Sequence, residues 1–282
     1  MDRRQKVEPL SWNSPRGNAW ADLQPMLDRL FRPFEDWIAD CVADRGARDV
    51  LDVGCGAGAT SLAIARRLEP GGCCTGIDIS SVLVEIARRR IAETGLDNVR
   101  FLAADAQRHD FAGQRYDAVV SRFGVMFFDD PLEAFANIAG AVRPGGTLHC
   151  AVWRGPADNP FMTTADRAVP DILGAAAPPD PHAPGQFAFA DAQRVETLLA
   201  ASGWDGIEIQ PLDLPCTLAA GDLSVYARRM GRVGMILPTL DEAARREAEA
   251  RLDQAFAPFV AGGTARFNAA CWNVSARKRS SD

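Results

Sequence analysis

The chain has 282 residues, 47% hydrophobic and 24% charged, which suits one large α/β unit with a modest insertion. Its formal net charge is -6 with no block of like charge, so a nucleic-acid partner is disfavoured. No apolar leader or bilayer-length apolar run is read, so no membrane partner and a cytoplasmic location are expected; seven scattered cysteines without C-x-x-C and three histidines speak against a metal centre.

From Trp20 to Val42 apolar residues recur at helical spacing, and Pro33 divides the stretch into two short helices or kinks one. Short β-rich runs follow at Val50–Val53, Thr75–Ile79, Val99–Leu102, Tyr116–Ser121 and Thr147–Trp153. Helical patterns lie between them. Ser81–Glu93 carries Val82, Leu83, Ile86, Ala87 and Ile91 on one face, and a helix from Asp130-Pro131 buries Leu132, Phe135, Ile138 and Val142. That helix stops at Arg143-Pro144-Gly145-Gly146. Strand–helix alternation with such short links predicts a parallel sheet covered on both faces, with its ligand beyond the carboxyl ends of the strands.

After Trp153 the pattern loosens through a Pro/Ala-rich stretch holding Asn159-Pro160-Phe161. A capped helix at Asp191–Ala201, a strand at Ile207–Leu214, an amphipathic run Leu223–Ile236, a charged helix Asp241–Phe256 and a strand near Ala270–Ala276 complete the chain. The whole reads as one domain: 12–45 an N-terminal helical segment, 46–153 the binding core, and 154–282 the covering insertion with the last strands.

The strongest signal is Val50-Leu51-Asp52-Val53-Gly54-Cys55-Gly56-Ala57-Gly58, a buried strand running into alternating glycines and then a helix. Glycine lets the backbone turn sharply and lets a ligand press on the main chain, while the helix start offers amide donors. Gly54, Gly56 and Ala59 also satisfy the looser dinucleotide pattern G-x-G-x-x-G/A, so an NAD(P)-dependent oxidoreductase stands as an alternative. Against it, Asp52 would repel a pyrophosphate and attract a cationic ammonium or sulfonium. Asp78 ends the second strand, where a carboxylate accepts from both hydroxyls of a ribose. Asp105 closes the third strand within reach of an adenine amine, and Ile79 covers one face of the base.

With these residues in order, the chain resembles the class I S-adenosylmethionine (SAM)-dependent methyltransferases, in the broad group that includes the ubiquinone and menaquinone C-methyltransferases. The resemblance spans roughly Trp12 to Trp153 and rests on VLDVGCGAG, GIDIS, AADAQ, YDAVVSRFGVMFF and VRPGG. It implies a Rossmann-like fold, a seven-stranded, mostly parallel sheet whose last strand is antiparallel, with helices on both faces, N-terminal helices and a C-terminal helical cap. It implies SAM as cofactor and S-adenosylhomocysteine as product. In that reading Gly54, Cys55, Gly56 and Gly58 hold the methionine part with Asp52 near its amine. Asp78 binds the ribose, Asp105 and the Ala106 amide bind the adenine, and the Ser121 carbonyl takes the methionine amine. A SAM-binding protein without methyl transfer is a further alternative.

The acceptor is expected to be a small molecule, a secondary metabolite or quinone-like compound methylated on O, N or C. The opening Trp12-Asn13 with Gly17 and Trp20, and later Asn159-Pro160-Phe161, resemble one branch of this group, and the two tryptophans either close the cleft or pin the chain end. Arg122 and Phe123, just past the fourth strand, should face the acceptor, Arg122 pairing an anionic acceptor or a structural acid. Ser121-Arg122-Phe123-Gly124 stands where nucleic-acid amine methyltransferases carry N-P-P-Y, and Asp129-Asp130 reads as a helix cap rather than a magnesium site. A general base is needed only if the nucleophile must lose a proton. His182, in the covering insertion, is the candidate; His149 reads as a packed, hydrogen-bonded residue, and His109 as pointing away.

Overall fold

A computed structural model describes residues 15–111, 113–174 and 180–280 of the chain. Trp12 and Asn13 lie outside these described residues.

Two helices come first, α1 (Pro15–Asp22) and α2 (Gln24–Ala43). The break falls at Leu23 rather than Pro33, because Pro25 in the first turn of α2 needs no backbone donor. Pro33 stays inside α2, where burial of Leu30, Phe31, Phe34 and Ile38 offsets the lost helical bond. The alternating core follows as β1 (Asp49–Val53), α3 (Ala59–Ala65), β2 (Cys73–Asp78), α4 (Ser81–Thr94), β3 (Val99–Ala103), β4 (Tyr116–Arg122), α5 (Pro131–Gly140) and β5 (Val142–Trp153). Then come α6 (Pro160–Ala168), α7 (Pro170–Leu173), α8 (Ala192–Ala201), β6 (Trp204–Ala219), α9 (Ala220–Arg229), α10 (Gly231–Ile236), α11 (Glu242–Phe256), β7 (Val260–Ala261) and β8 (Thr264–Lys278).

Seven long strands form one sheet in the order β3-β2-β1-β4-β5-β8-β6, and the two-residue β7 pairs only with β8. Strands β1 to β5 run parallel, and β8 is antiparallel to both of its neighbours. Alternate residues of the central strands feed different cores: Val50, Ala118 and Val120 pack with α3, α4 and the end of α2, while Leu51 and Val119 pack with α5 and α8. This is the Rossmann-like architecture of class I methyltransferases.

Several boundaries differ from the sequence pattern for physical reasons. Arg143-Pro144-Gly145-Gly146 does not end a helix; it lies within β5 as a bulge, with the register shifting between Tyr116↔Val142 and Ala118↔Thr147. Val82 and Leu132 are exposed rather than buried, 40% and 46%. The amphipathic run after Leu223 is split into α9 and α10 at Met230. Strands β6 and β8 are longer than their apolar patterns, pairing from Trp204↔Lys278 to Ala219↔Thr264. Pro211 and Pro215 are accepted because β6 is an edge strand, and residues four apart direct their missing donors to the same side.

Among the described residues no helix is long and apolar enough to cross a membrane, and none of the His, Cys, Asp and Glu side chains cluster as a metal site would require. Asp130 caps α5, its carboxylate accepting from the Glu133 amide at 3.0 Å. Cys55, Cys74, Cys150, Cys216 and Cys271 are buried free thiols, serving as small apolar side chains.

Candidate cofactor and acceptor site

The loop after β1 is stitched to the end of β2. The Gly54 and Cys55 amides both donate to the Ile77 carbonyl, at 2.9 and 3.1 Å, and the Gly56 amide donates to Asp78 Oδ2 at 2.8 Å. The Gly58 amide is spent on the Cys55 carbonyl. These loop donors are therefore engaged inside the protein, not free as the motif alone suggested.

Gly54, Gly56 and Gly58 all have positive φ, 70°, 53° and 83°, which L side chains adopt at a cost. Their surroundings differ. A Cβ on Gly54 would lie 2.6 Å from Gly124 Cα, so the loops after β1 and β4 touch backbone to backbone. A Cβ on Gly56 would meet nothing within 4 Å, so this glycine faces open space. A Cβ on Gly58 would strike the Phe101 ring at 2.6 Å; its place is under β3, in the packing, and not along a ligand.

Asp52 is enclosed, 1% exposed, with Oδ2 accepting from Ser61 Oγ at 2.6 Å and Oδ1 buried without a partner. Burial pushes its carboxyl up to about 6, against the pull of the Ser61 hydroxyl and Arg122. The residue braces the start of α3 from behind the loop, where the sequence had it beside a ligand amine. Asp78 is half-buried, Oδ1 accepting from the Ser80 amide at 2.8 Å and Oδ2 from Gly56. Burial raises its pKa and those two amides lower it. Each oxygen keeps a second lone-pair direction for another donor. Ile79 follows, 54% exposed, an unusual place for a large apolar side chain. Asp105 is half-buried and accepts from the Gln107 amide at 2.9 Å. The Ala106 carbonyl is held by Asn137 Nδ2, also at 2.9 Å. Open space thus lies over Gly56, with Asp78, Ile79 and Asp105 at or just past successive strand ends, an order that suits a nucleoside with two vicinal hydroxyls and a flat base.

The end of β4 packs against the loop after β1. Ser121 Oγ donates to the Val53 carbonyl at 2.7 Å and accepts from the Gly124 and Val125 amides at 3.1 and 3.2 Å. Phe123 is the non-glycine residue with positive φ among the described residues, at 67°. It does not line an open acceptor face: its ring stacks on Trp153, centroids 4.5 Å apart at 11°, with Phe31 and Phe34 edge-on. Arg122 leans the other way, Nε donating to Thr60 Oγ1 at 3.0 Å with its guanidinium 5.6 Å from the centre of the Phe31 ring. Trp20 is half-buried on α1 against the core.

The histidines gain no catalytic support. His182 is exposed, in a turn where its amide donates to Asp180 Oδ1. His109 sits edge-on to Phe111. His149 is packed inside β5 as expected but not hydrogen-bonded at Nε2; burial, helped by the Arg45 charge, pushes its pKa down to about 4.

Sequence reasoning missed Ser61, Gly124, Asn137 and Glu35. Ser61 acts through its hydroxyl on Asp52, and Gly124 and Asn137 through contacts with backbone, none of which spacing announces. Glu35, on α2, is 8% exposed and reads in sequence as one more helix-surface acid. The α2 helix also crosses the glycine loop: Arg90 from α4 donates to the Ala57 carbonyl at 2.6 Å and pairs with Asp28 at 2.8 Å.

A family model described as a methyltransferase domain matches residues 50–146, the span from β1 into β5. Aklanonic acid methyltransferase from Streptomyces sp. (strain C5) is 33% identical over 125 residues, 43% of this chain and 57% of that protein. Nocamycin O-methyltransferase from Saccharothrix syringae is 29% identical over 194 residues, 65% of this chain and 68% of that protein. The chain thus spans little more than half the length of the first of these relatives. Among solved structures, a putative methyltransferase from Bacillus halodurans superposes with a TM-score of 0.56 at 18% identity, covering 87% of this chain and 99% of that one. Residues 50–146 therefore match a methyltransferase domain, on a fold shared with the Bacillus halodurans protein, and SAM is the methyl donor that such a domain implies.

Proposed function

We propose that the protein transfers the methyl group of SAM to a small organic molecule, as the nocamycin and aklanonic acid enzymes do by their names. The observation that carries this reading is the bond from the Gly56 amide to Asp78, which holds a strand-end carboxylate against the glycine loop beside the open space over Gly56. A dinucleotide reading is disfavoured because the loop amides that would grip a pyrophosphate are already engaged and a buried acid, Asp52, lies behind them.

SAM, when bound, supplies an electrophilic methyl group on a sulfonium. Asp78 would orient the ribose and Asp105 the adenine, with Ile79 covering the base. Gly56 would let the ligand approach the main chain, and the Ser121 carbonyl would take the amine. Phe31, Phe34, Phe123 and Trp153 form buried core that braces the end of β4, and fixing the reactants in line would supply much of the rate. The product would be S-adenosylhomocysteine.

Calorimetry with S-adenosylhomocysteine tests the site. Asp78→Ala should weaken binding by more than about tenfold, since it strands two ribose hydroxyls and frees the Gly56 amide. Equal affinity in the variant would remove Asp78 from the site. Methyl transfer from labelled SAM to a panel of phenols, carboxylic acids and amines tests the activity.

A further inference from the structure

Arg122 and Glu35 are charged groups that the fold draws inward and leaves without a counter-ion. The Arg122 guanidinium is half-buried, and the hydrogen bond it makes is from Nε to Thr60. Glu35 is 8% exposed, yet among the described residues no hydrogen bond reaches its carboxylate and no cation lies within 4.0 Å. Arg122 and Glu35 feel one another's charge, and Asp52 feels Arg122 as well, but neither acid closes an ion pair on the guanidinium. Surface arginines of this chain behave otherwise. Arg229 and Arg279 hold carboxylates at 2.6 and 3.0 Å in the open, where such pairs contribute little.

A half-buried guanidinium that closes no ion pair keeps charged donors available to an anionic ligand. The chemistry of that ligand follows from the geometry. With Nε committed to Thr60, the two Nη groups keep the parallel donors that suit a planar carboxylate. Phe31 supports one face of the guanidinium, which fixes its plane. Thr60 lies two residues after Gly58, in the first turn of α3, so the guanidinium is held between the helix that follows the glycine loop and Phe31 of α2.

The geometry points to Arg122 as a carboxylate-binding residue of the active site, completed by the amino-acid end of the methyl donor or by an acidic acceptor. This rests on the SAM reading above. An acidic acceptor needs no general base, since a carboxylate is already the nucleophile at neutral pH, and its O–C bond forms as the sulfonium C–S bond breaks.

The test is calorimetry on the full chain, wild type against Arg122→Met and Arg122→Lys, with thermal unfolding showing that each variant is folded. One arm compares S-adenosylhomocysteine with its decarboxylated analogue; the other compares 1-naphthoate with 1-naphthamide on protein saturated with S-adenosylhomocysteine. The expected result is a loss of about tenfold or more with Arg122→Met for one carboxylate probe, its neutral counterpart unchanged, and partial recovery with Arg122→Lys. Loss in the first arm assigns the donor's carboxylate, loss in the second the acceptor's. Unchanged affinity for both carboxylates, or equal losses for charged and neutral probes, overturns the assignment while leaving SAM binding intact. A wild type that does not bind S-adenosylhomocysteine removes the SAM reading itself, and this one with it.

Discussion

Gly54 and Gly124 meet backbone to backbone: a Cβ on either would lie 2.6 or 2.7 Å from the other's Cα. The loops that end β1 and β4 are thereby held at a separation no side chain permits. Gly124 has an ordinary φ of -78°, so Gly124→Ala tests the steric contact, with the Val53 carbonyl at 2.6 Å as well as Gly54, whereas Gly54→Ala adds the cost of its positive φ. Urea unfolding should show Gly124→Ala less stable by about 2 kcal/mol, and Gly54→Ala by a further ~1 kcal/mol or more. A Gly124→Ala variant as stable as wild type would mean that the two loops are free to part.

Asp52 and His149 should pull the acid limb of stability in opposite directions. Burial raises Asp52 from 3.8 to about 6, so between those values the folded state holds a proton the unfolded chain has released, and stability falls as pH rises. Burial lowers His149 from 6.5 to about 4, so there the unfolded chain holds the extra proton, and stability rises with pH. From pH 4 to 6 the two slopes, each near 1.4 kcal/mol per pH unit at full effect, oppose one another. Relative to wild type, Asp52→Asn should steepen the loss of stability on acidification, and His149→Leu should reverse it. Parallel pH profiles for all three proteins would contradict these environments.

Asn159 substitutes for a strand where β8 runs past the end of β5. Its Oδ1 accepts from the Ala270 amide at 3.0 Å and its Nδ2 donates to the Ala270 carbonyl at 2.9 Å. Asn159→Ala leaves the buried Ala270 amide unpaired, and Asn159→Asp sets a carboxylate against the Ala270 carbonyl, so each should cost about 2–3 kcal/mol. Chemical denaturation decides it; a carboxylate tolerated at this position would show that water reaches Ala270.

Phe123 carries a backbone cost that glycine would relieve. Truncating its ring breaks the Trp153 stack and should cost about 3 kcal/mol. At most positions glycine is worse than alanine, but at φ 67° Phe123→Gly should be the more stable of the two by ~1 kcal/mol. The reverse order would show the left-handed conformation to be set by the phenylalanine itself.

The parallel core was legible because its signals are local. Val50–Val53 is apolar and ends in glycines, Asp130-Pro131 caps a helix, and Asp78 and Asp105 fall at strand ends. What the sequence concealed depends on partners distant along the chain. Asp52 turned inward because Ser61 receives it. Phe123 turned into the core because Phe31, Phe34 and Trp153 form a box for it. The length of β6 came from β8, against two prolines, and Gly58 serves a phenylalanine forty-three positions on, at Phe101.

The segment between β5 and the second half of β8 leaves and rejoins the sheet at one rung of the ladder: Trp153 pairs with Cys271, and the Arg154 amide donates to the Ala270 carbonyl at 3.0 Å. Its two ends are therefore neighbours in space, whatever is threaded between them. Exchanging this stretch for another would leave the glycine loop, Asp78 and Asp105 in place, so Trp153 and Cys271 are the natural joints for building chimaeras.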